Sequence, residues 1–383
     1  MSGNICPAIF IQSSYDKAFI EDQVGSMFRV GGEYLARSTD PIILERSLSG
    51  GVATALVKYL LEKRIVDMAL LIKSDGVTGG RLFFTHDPKE VIESAGSICL
   101  SPINMAKAIR DYVSRDEKVA ITVKPCEEKA IDYLVRIGRV RRENLFLIGL
   151  NCGGLFDPLS LEKTMEELSI DPDKITDIRY HDDTIEIVID NEKSLRIDYV
   201  KGYEKLGQRD ACKRCLDHIP SLSDVALGYW GVPIRTAKYT YTIPLTERGR
   251  RVLEEMLYNG YIEAVPAPPS AIEARKRIIE TIRKASMIAR EKQYEVLDKT
   301  GITLFLQKCL MCMECWHVCP IRSEKEIYAW KKKLDPALWQ ISVITYMYDK
   351  CVGCGACEDV CPVKIPFALI IERLRNLRRE LGV

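Results

Sequence analysis

The chain has 383 residues, with Lys+Arg 55 against Asp+Glu 54 and a formal net charge of +1. That length suits two or three domains, and the near-neutral balance excludes a nucleic-acid binder relying on bulk positive charge, as well as an acidic tail. A composition of 47% hydrophobic and 28% charged residues excludes a disordered chain.

No apolar run approaches the ~18 residues that a bilayer span needs, so no membrane span is expected. Met1-Ser-Gly-Asn-Ile-Cys-Pro7 has neither the basic nor the apolar region of a secretory signal, and a cytoplasmic location is expected. The outlier is fourteen cysteines beside four histidines. In a large chain with repeated C-x2-C spacing this reads as metal binding through thiolates rather than as disulfides or mixed Cys/His zinc sites.

Residues 1–32 are expected to be an N-terminal extension, with Cys6 a buried or incidental thiol. From 33 to 265, strand-like apolar runs at 65–73, 118–123 and 145–150 alternate with helical patterns such as 52–63, which predicts an α/β core. Turn sequences at 74–80 and 180–184 divide further short strands and predict antiparallel additions. Ser47-Leu-Ser-Gly-Gly51 precedes a helix start, where glycines let backbone N–H groups approach a phosphate; a plain helix cap reads the same way. No G-x-G-x-x-G follows a strand, so a Rossmann dinucleotide site is not supported.

Lys124-Pro-Cys126 and Asn151-Cys-Gly-Gly154 both follow strand ends, where parallel sheets collect ligands, although ordinary strand-to-helix turns have similar sequences. Cys212-Lys-Arg-Cys215 is a two-ligand knuckle. With Cys126 and Cys152 it supplies four thiolates for one 4Fe-4S cluster or for a structural zinc, and Cys99 is an alternative ligand.

Pro266-Ala-Pro-Pro269 breaks the α/β pattern, and a charged amphipathic run predicts a linker helix within 266–300. In 301–383, Cys309-x2-Cys312-x2-Cys315-x3-Cys319-Pro recurs as Cys351-x2-Cys354-x2-Cys357-x3-Cys361-Pro. This is the spacing of a two-cluster ferredoxin, in which the fourth cysteine of each run reaches the other cluster. The expected sets are therefore Cys309, Cys312, Cys315 with Cys361, and Cys351, Cys354, Cys357 with Cys319. Paired zinc knuckles would leave the third cysteine of each run unexplained. His317 falls among enough thiolates to be a solvent or packing contact. Helical sequence around both motifs predicts an α-helical dicluster domain rather than a compact β-rich ferredoxin.

Gly50-Gly-Val-Ala-Thr-Ala-Leu56, Ile121-Thr-Val-Lys-Pro-Cys126, Ile148-Gly-Leu-Asn-Cys-Gly-Gly154, Cys212-Lys-Arg-Cys215 and Ala226-Leu-Gly-Tyr-Trp-Gly231 together resemble the beta subunits of hydrogenases and formate dehydrogenases that depend on the deazaflavin coenzyme F-420 (F420). The C-terminal motif pair is most similar to the formate dehydrogenase branch. The resemblance implies FAD, three 4Fe-4S clusters and F420 as substrate: a hydride exchanged at the flavin becomes single electrons for the clusters. It implies a partner subunit of dehydrogenase, hydrogenase or heterodisulfide-reductase-like type, and no protein general base, because the cofactor carries the chemistry. Carried over, Ser49, Gly50, Gly51 and Thr54 lie near the FAD phosphates, Lys124 and Asn151 near the flavin, and Cys126, Cys152, Cys212 and Cys215 hold the nearest cluster. Ser49 stands where family members often have Cys, and Pro320-Ile-Arg-Ser stands where they often have more cysteines. The alternatives are NAD(P)H as hydride donor, or a flavin-free electron wire.

Overall fold

A computed structural model describes residues 26–74, 79–96, 102–171, 174–181, 184–190, 193–198, 207–232, 238–322 and 336–382. Cys6, Cys99 and the centres of both expected turns lie outside the described residues.

In chain order the strands are β1 Tyr34–Ser38, β2 Met68–Ser74, β3 Gly80–Thr85, β4 Val119–Val123, β5 Leu145–Leu150, β6 Ile175–Tyr180, β7 Thr184–Ile189, β8 Lys193–Asp198, β9 Val225–Gly228, β10 Thr240–Pro244 and β11 Ile262–Pro266. Eight form one sheet in the order β11-β1-β10-β9-β5-β4-β2-β3. Its centre is parallel, with β2 beside β4, β4 beside β5 and β5 beside β9, while antiparallel strands extend both sides. Strands β6, β7 and β8 make a separate antiparallel sheet. The α/β core with antiparallel additions is thus present.

Strands covered on both faces read as continuous apolar runs, and successive side chains point to opposite sides. In β5, Leu145 and Leu147 enter one core while Phe146 and Ile148 enter the other. Val119 and Ile121 against Ala120 repeat the division in β4. One core is closed by the helices Val52–Glu62 and Glu247–Tyr258, the other by Met105–Tyr112 and Pro125–Arg136. Phe28, within the expected extension, is fully buried in the first core, and Glu254 accepts hydrogen bonds from the backbone N–H groups of Met27 (3.0 Å) and Phe28 (3.1 Å). Residues 26–32 therefore pack as part of the α/β body.

The expected linker is a single helix, Pro269–Thr300, begun by proline and ended at Gly301 with φ +82°. At about 1.5 Å per residue it is about 48 Å long, enough to bury Ile278 and Ile282 against the small sheet and Tyr294 and Leu297 near the C-terminal region. The described residues beyond it form helices and loops with no strand. Their apolar side chains, among them Trp316, Trp339, Val343 and Ile370, join Ile121 and Leu147 of the sheet in one continuous core. The C-terminal region thus packs its apolar side chains on the sheet's second face. Among the described residues no helix is long and apolar enough to cross a membrane.

Candidate functional site

A cleft of about 360 Å³ opens at the carboxyl ends of the parallel strands, where open α/β sheets hold ligands. Its lining includes Ser49, Gly51, Thr54, Lys124 and Asn151, five of the six residues expected around a flavin, and Gly50 adjoins them in the chain. The helix Val52–Glu62 points its N-terminus at this cleft and has no side-chain cap, so its first N–H groups face the opening. The cap, Gly51, has φ +72°, a conformation that a side chain strains. The Asn151 amide is buried, and neither its nitrogen nor its oxygen has a partner in the protein. A buried amide left unbonded costs about 1–3 kcal/mol, so this one fits a ligand that both accepts and donates, as the edge of an isoalloxazine ring does. Leu71, Val57 and Val91 supply apolar wall. These features fit FAD.

Cys152 belongs to the same wall. Its backbone pairs with that of His218, its N–H donating to the His218 carbonyl (3.0 Å), and the His218 Nδ1 lies 3.0 Å from the Cys152 carbonyl oxygen. Gly154 follows with φ +114°, and a Cβ there would fall 1.9 Å from Gln208 Nε2 and 3.2 Å from Cys212 Cβ. Glycine is what lets the strand-end loop lie against the knuckle. Cys126 sits in the first turn of Pro125–Arg136, half-buried like Cys152, Cys212 and Cys215. Burial, then Cys212, pushes the Cys152 thiol up to about 11, and the same causes push Cys215 up to about 12. Burial raises the Cys126 thiol as well, and buried thiols that resist ionising call for a cationic partner. Among the described residues no group of three or more His, Cys, Asp or Glu side chains is arranged to hold a metal ion.

In the C-terminal region two small cavities of about 20 Å³ sort the repeated cysteines. One is lined by Cys309, Cys312, Cys315 and Cys361, the other by Cys319, Cys351, Cys354 and Cys357. These are the crossed sets that the spacing predicts. Backbone N–H groups of Met311, Gly353 and Ile365 donate to the sulfurs of Cys309 (3.4 Å), Cys351 (3.5 Å) and Cys361 (3.2 Å). Such bonds favour thiolate over thiol and suit iron–sulfur ligation. His317 ends the short helix Glu314–His317, half-buried.

Two adjoining segments match family descriptions: residues 34–110 "Coenzyme F420 hydrogenase/dehydrogenase, beta subunit N-term" and 116–270 its "C terminus". The chain is also 32% identical to the F420-dependent formate dehydrogenase subunit beta of Methanocaldococcus jannaschii, over 91% of this chain and 94% of that one. The chain belongs to the coenzyme F420 hydrogenase/dehydrogenase beta-subunit family. Residues 344–367 match a 4Fe-4S binding domain, so this family member carries a ferredoxin-type iron–sulfur region. The coenzyme F420 hydrogenase subunit beta of Methanococcus voltae is 26% identical over 70% of this chain and 95% of its own. A chain of the F420-reducing [NiFe] hydrogenase complex from Methanosarcina barkeri has the same fold, with a TM-score of 0.57 and 20% identity, covering 73% of this chain and 96% of that one.

The residues that hold this family member's site together are less visible in sequence than its cysteines. Glu128, two positions after Cys126 and 1% exposed, accepts from Ser221 N (2.7 Å), Leu222 N (3.1 Å) and Ser223 Oγ (2.7 Å). It ties the loop after the knuckle to the helix bearing Cys126. Glu127 similarly pairs with Lys124 at 2.7 Å; burial alone would lower the Lys124 pKa, but Glu127, then Cys126, outweigh it and leave it raised. Arg209, Gln208 and His218 are buried around the knuckle. Only charge in an apolar context could have flagged them, and the cysteine spacing does not. A Glu128→Ala variant is expected to lose about 2 kcal/mol of stability, because the buried Ser223 hydroxyl and the part-buried N–H groups of Ser221 and Leu222 lose their acceptor. Chemical denaturation of the purified protein measures this, and Glu128→Gln should recover part of the loss.

Proposed function

We propose that this chain is an iron–sulfur flavoprotein subunit that exchanges a hydride with coenzyme F420 at FAD and passes single electrons through three 4Fe-4S clusters to or from a catalytic partner subunit in the cytoplasm. A dehydrogenase of the formate dehydrogenase kind is the first partner to examine, given the relatives. The observation that carries the reading is the shared wall: the cleft lined by Lys124, Asn151 and the uncapped helix N-terminus is also lined by Cys152.

FAD, when bound, supplies the exchange between two-electron hydride chemistry and one-electron transfer. The N–H groups of residues 52–54, with Ser49 and Thr54 beside them, bind its phosphates at the positive end of the helix dipole. The Asn151 amide orients the ring, Lys124 holds a positive charge beside it, and the apolar wall excludes water. Cys126, Cys152, Cys212 and Cys215 would hold one cluster, Cys152 from the wall it shares with the cleft. Cys309, Cys312, Cys315 with Cys361, and Cys319 with Cys351, Cys354 and Cys357, hold the other two.

The test is anaerobic mixing of the isolated, reconstituted holoprotein with reduced F420. Bleaching of the flavin band, followed by the clusters, is the expected result. Bleaching by NADH or NADPH but not by reduced F420 replaces the donor, and about 12 irons per chain without extractable flavin replaces the flavoprotein reading with an electron wire.

A further inference from the structure

Between the knuckle and the second C-terminal motif lie two buried cations, Arg209 and Arg214. Arg209 is 7% exposed and stands three residues before Cys212. Its guanidinium is shared three ways: Nη1 donates to Cys212 Sγ at 3.4 Å, Nη2 to the Cys354 carbonyl at 2.9 Å, and Nε to Asp359 Oδ2 at 2.7 Å. The backbones approach as closely. Gly355 has φ +70°, and a Cβ there would fall 2.1 Å from Ala211 Cβ and 3.5 Å from Arg209 Nη2. Arg214, at the other end of the knuckle, grips Glu358 with Nη2 at 2.7 and 2.9 Å, so both ends of the knuckle are tied to the short helix Ala356–Asp359. The Cys309 motif is served by another buried arginine, Arg322, whose Nη1 lies 3.8 Å from Cys315 Sγ.

We propose that Arg209 is a positioning residue common to two redox centres, the knuckle cluster and the cluster of Cys319, Cys351, Cys354 and Cys357, setting their contact and raising the reduction potential of both. This rests on the reading that the knuckle holds a cluster. The physical reason is charge. Reduction adds an electron to each centre, and a desolvated cation touching a ligand of each favours the reduced form. Asp359 opposes it, so removing either member of the pair moves the potentials in opposite directions. A merely structural brace would not produce that sign reversal.

The experiment is a redox titration of the anaerobic holoprotein by electron paramagnetic resonance, comparing wild type with Arg209→Gln, Arg209→Lys and Asp359→Asn. A Cys361→Ser variant identifies the signal of the remaining centre. Arg209→Gln is expected to lower the reduced-to-oxidised ratio of two centres about tenfold at fixed solution potential, about 59 mV for a one-electron couple. Asp359→Asn should raise the ratio for the same two, Arg209→Lys should stay near wild type, and the third centre should not move. The proposal is overturned if one centre alone moves, if the third moves with them, or if both substitutions shift the potentials in the same direction. Should Arg209→Gln fail to assemble, Asp359→Asn decides alone: a raised ratio at the same two centres with the third unmoved supports the proposal, and a lowered or unchanged ratio overturns it. Failure of the underlying reading looks different: wild type itself would contain about 8 irons and two centres.

Discussion

A Cys361→Ser variant is expected to lose the cluster whose other ligands belong to the first motif, and to keep the one whose other ligands belong to its own. The cavity shared by Cys361 with Cys309, Cys312 and Cys315 is the reason. Iron should fall from about 12 to about 8 per chain, and of the two paramagnetic signals that survive, the one from the centre of Cys351, Cys354 and Cys357 should be abolished by Cys319→Ser instead. Cys361 is 7% exposed and its sulfur accepts from the Ile365 N–H that leads into the helix Phe367–Glu380. Losing that cluster should therefore also lower the thermal midpoint, since metal binding to a site absent from the unfolded chain is folding free energy. If Cys361→Ser instead abolishes the centre of Cys351, Cys354 and Cys357, each motif serves itself and the crossed arrangement is wrong.

Asn151→Leu should separate the protein's stability from its affinity for flavin. In the flavin-free protein both polar atoms of this side chain are buried without a partner, and exchange for an apolar group of similar volume relieves about 1–3 kcal/mol of unpaired burial. The flavin-free variant is thus expected to denature at higher denaturant concentration than wild type. FAD affinity should fall at least about tenfold, because a bonded amide worth about 1.4 kcal/mol or more to the complex is gone. Fluorescence titration with FAD and denaturation of the flavin-free form check the two halves. A variant that is destabilised, or that keeps wild-type affinity, means the amide serves the fold and not the ligand.

The cysteine chemistry was the most legible part of this chain, because 4Fe-4S ligation by a C-x2-C-x2-C-x3-C-P run is a local constraint written in consecutive residues. The crossed sets follow from it and reappear as the linings of two cavities. The cleft residues Gly51 and Asn151 were marked mainly through a resemblance, since a glycine pair before a helix and an Asn after a strand are common in turns. Arg209, Glu128 and His218 carried no local signal. Each acts on a partner far along the chain, Arg209 on Cys354 and Glu128 on Ser221 to Ser223.

The N-terminal expectation was shaped by the same limit. Nothing near Phe28 in the sequence marks it as core; packing against Tyr34 and the bond to Glu254 of the helix Glu247–Tyr258 make it so. The C-terminal region likewise reads as a unit by its repeat, yet Trp316 and Trp339 share a core with the sheet. By itself, the sequence determined the α/β alternation, the long helix after the proline break and the repeated cysteine motif, all of which depend on short-range periodicity and spacing. Only the tertiary structure decided that the cleft and Cys152 share a wall and that Arg209 spans the knuckle and the second motif. Those relations depend on which strand ends and loops the sheet order brings together, and no local pattern encodes distance between residues so far apart in the chain.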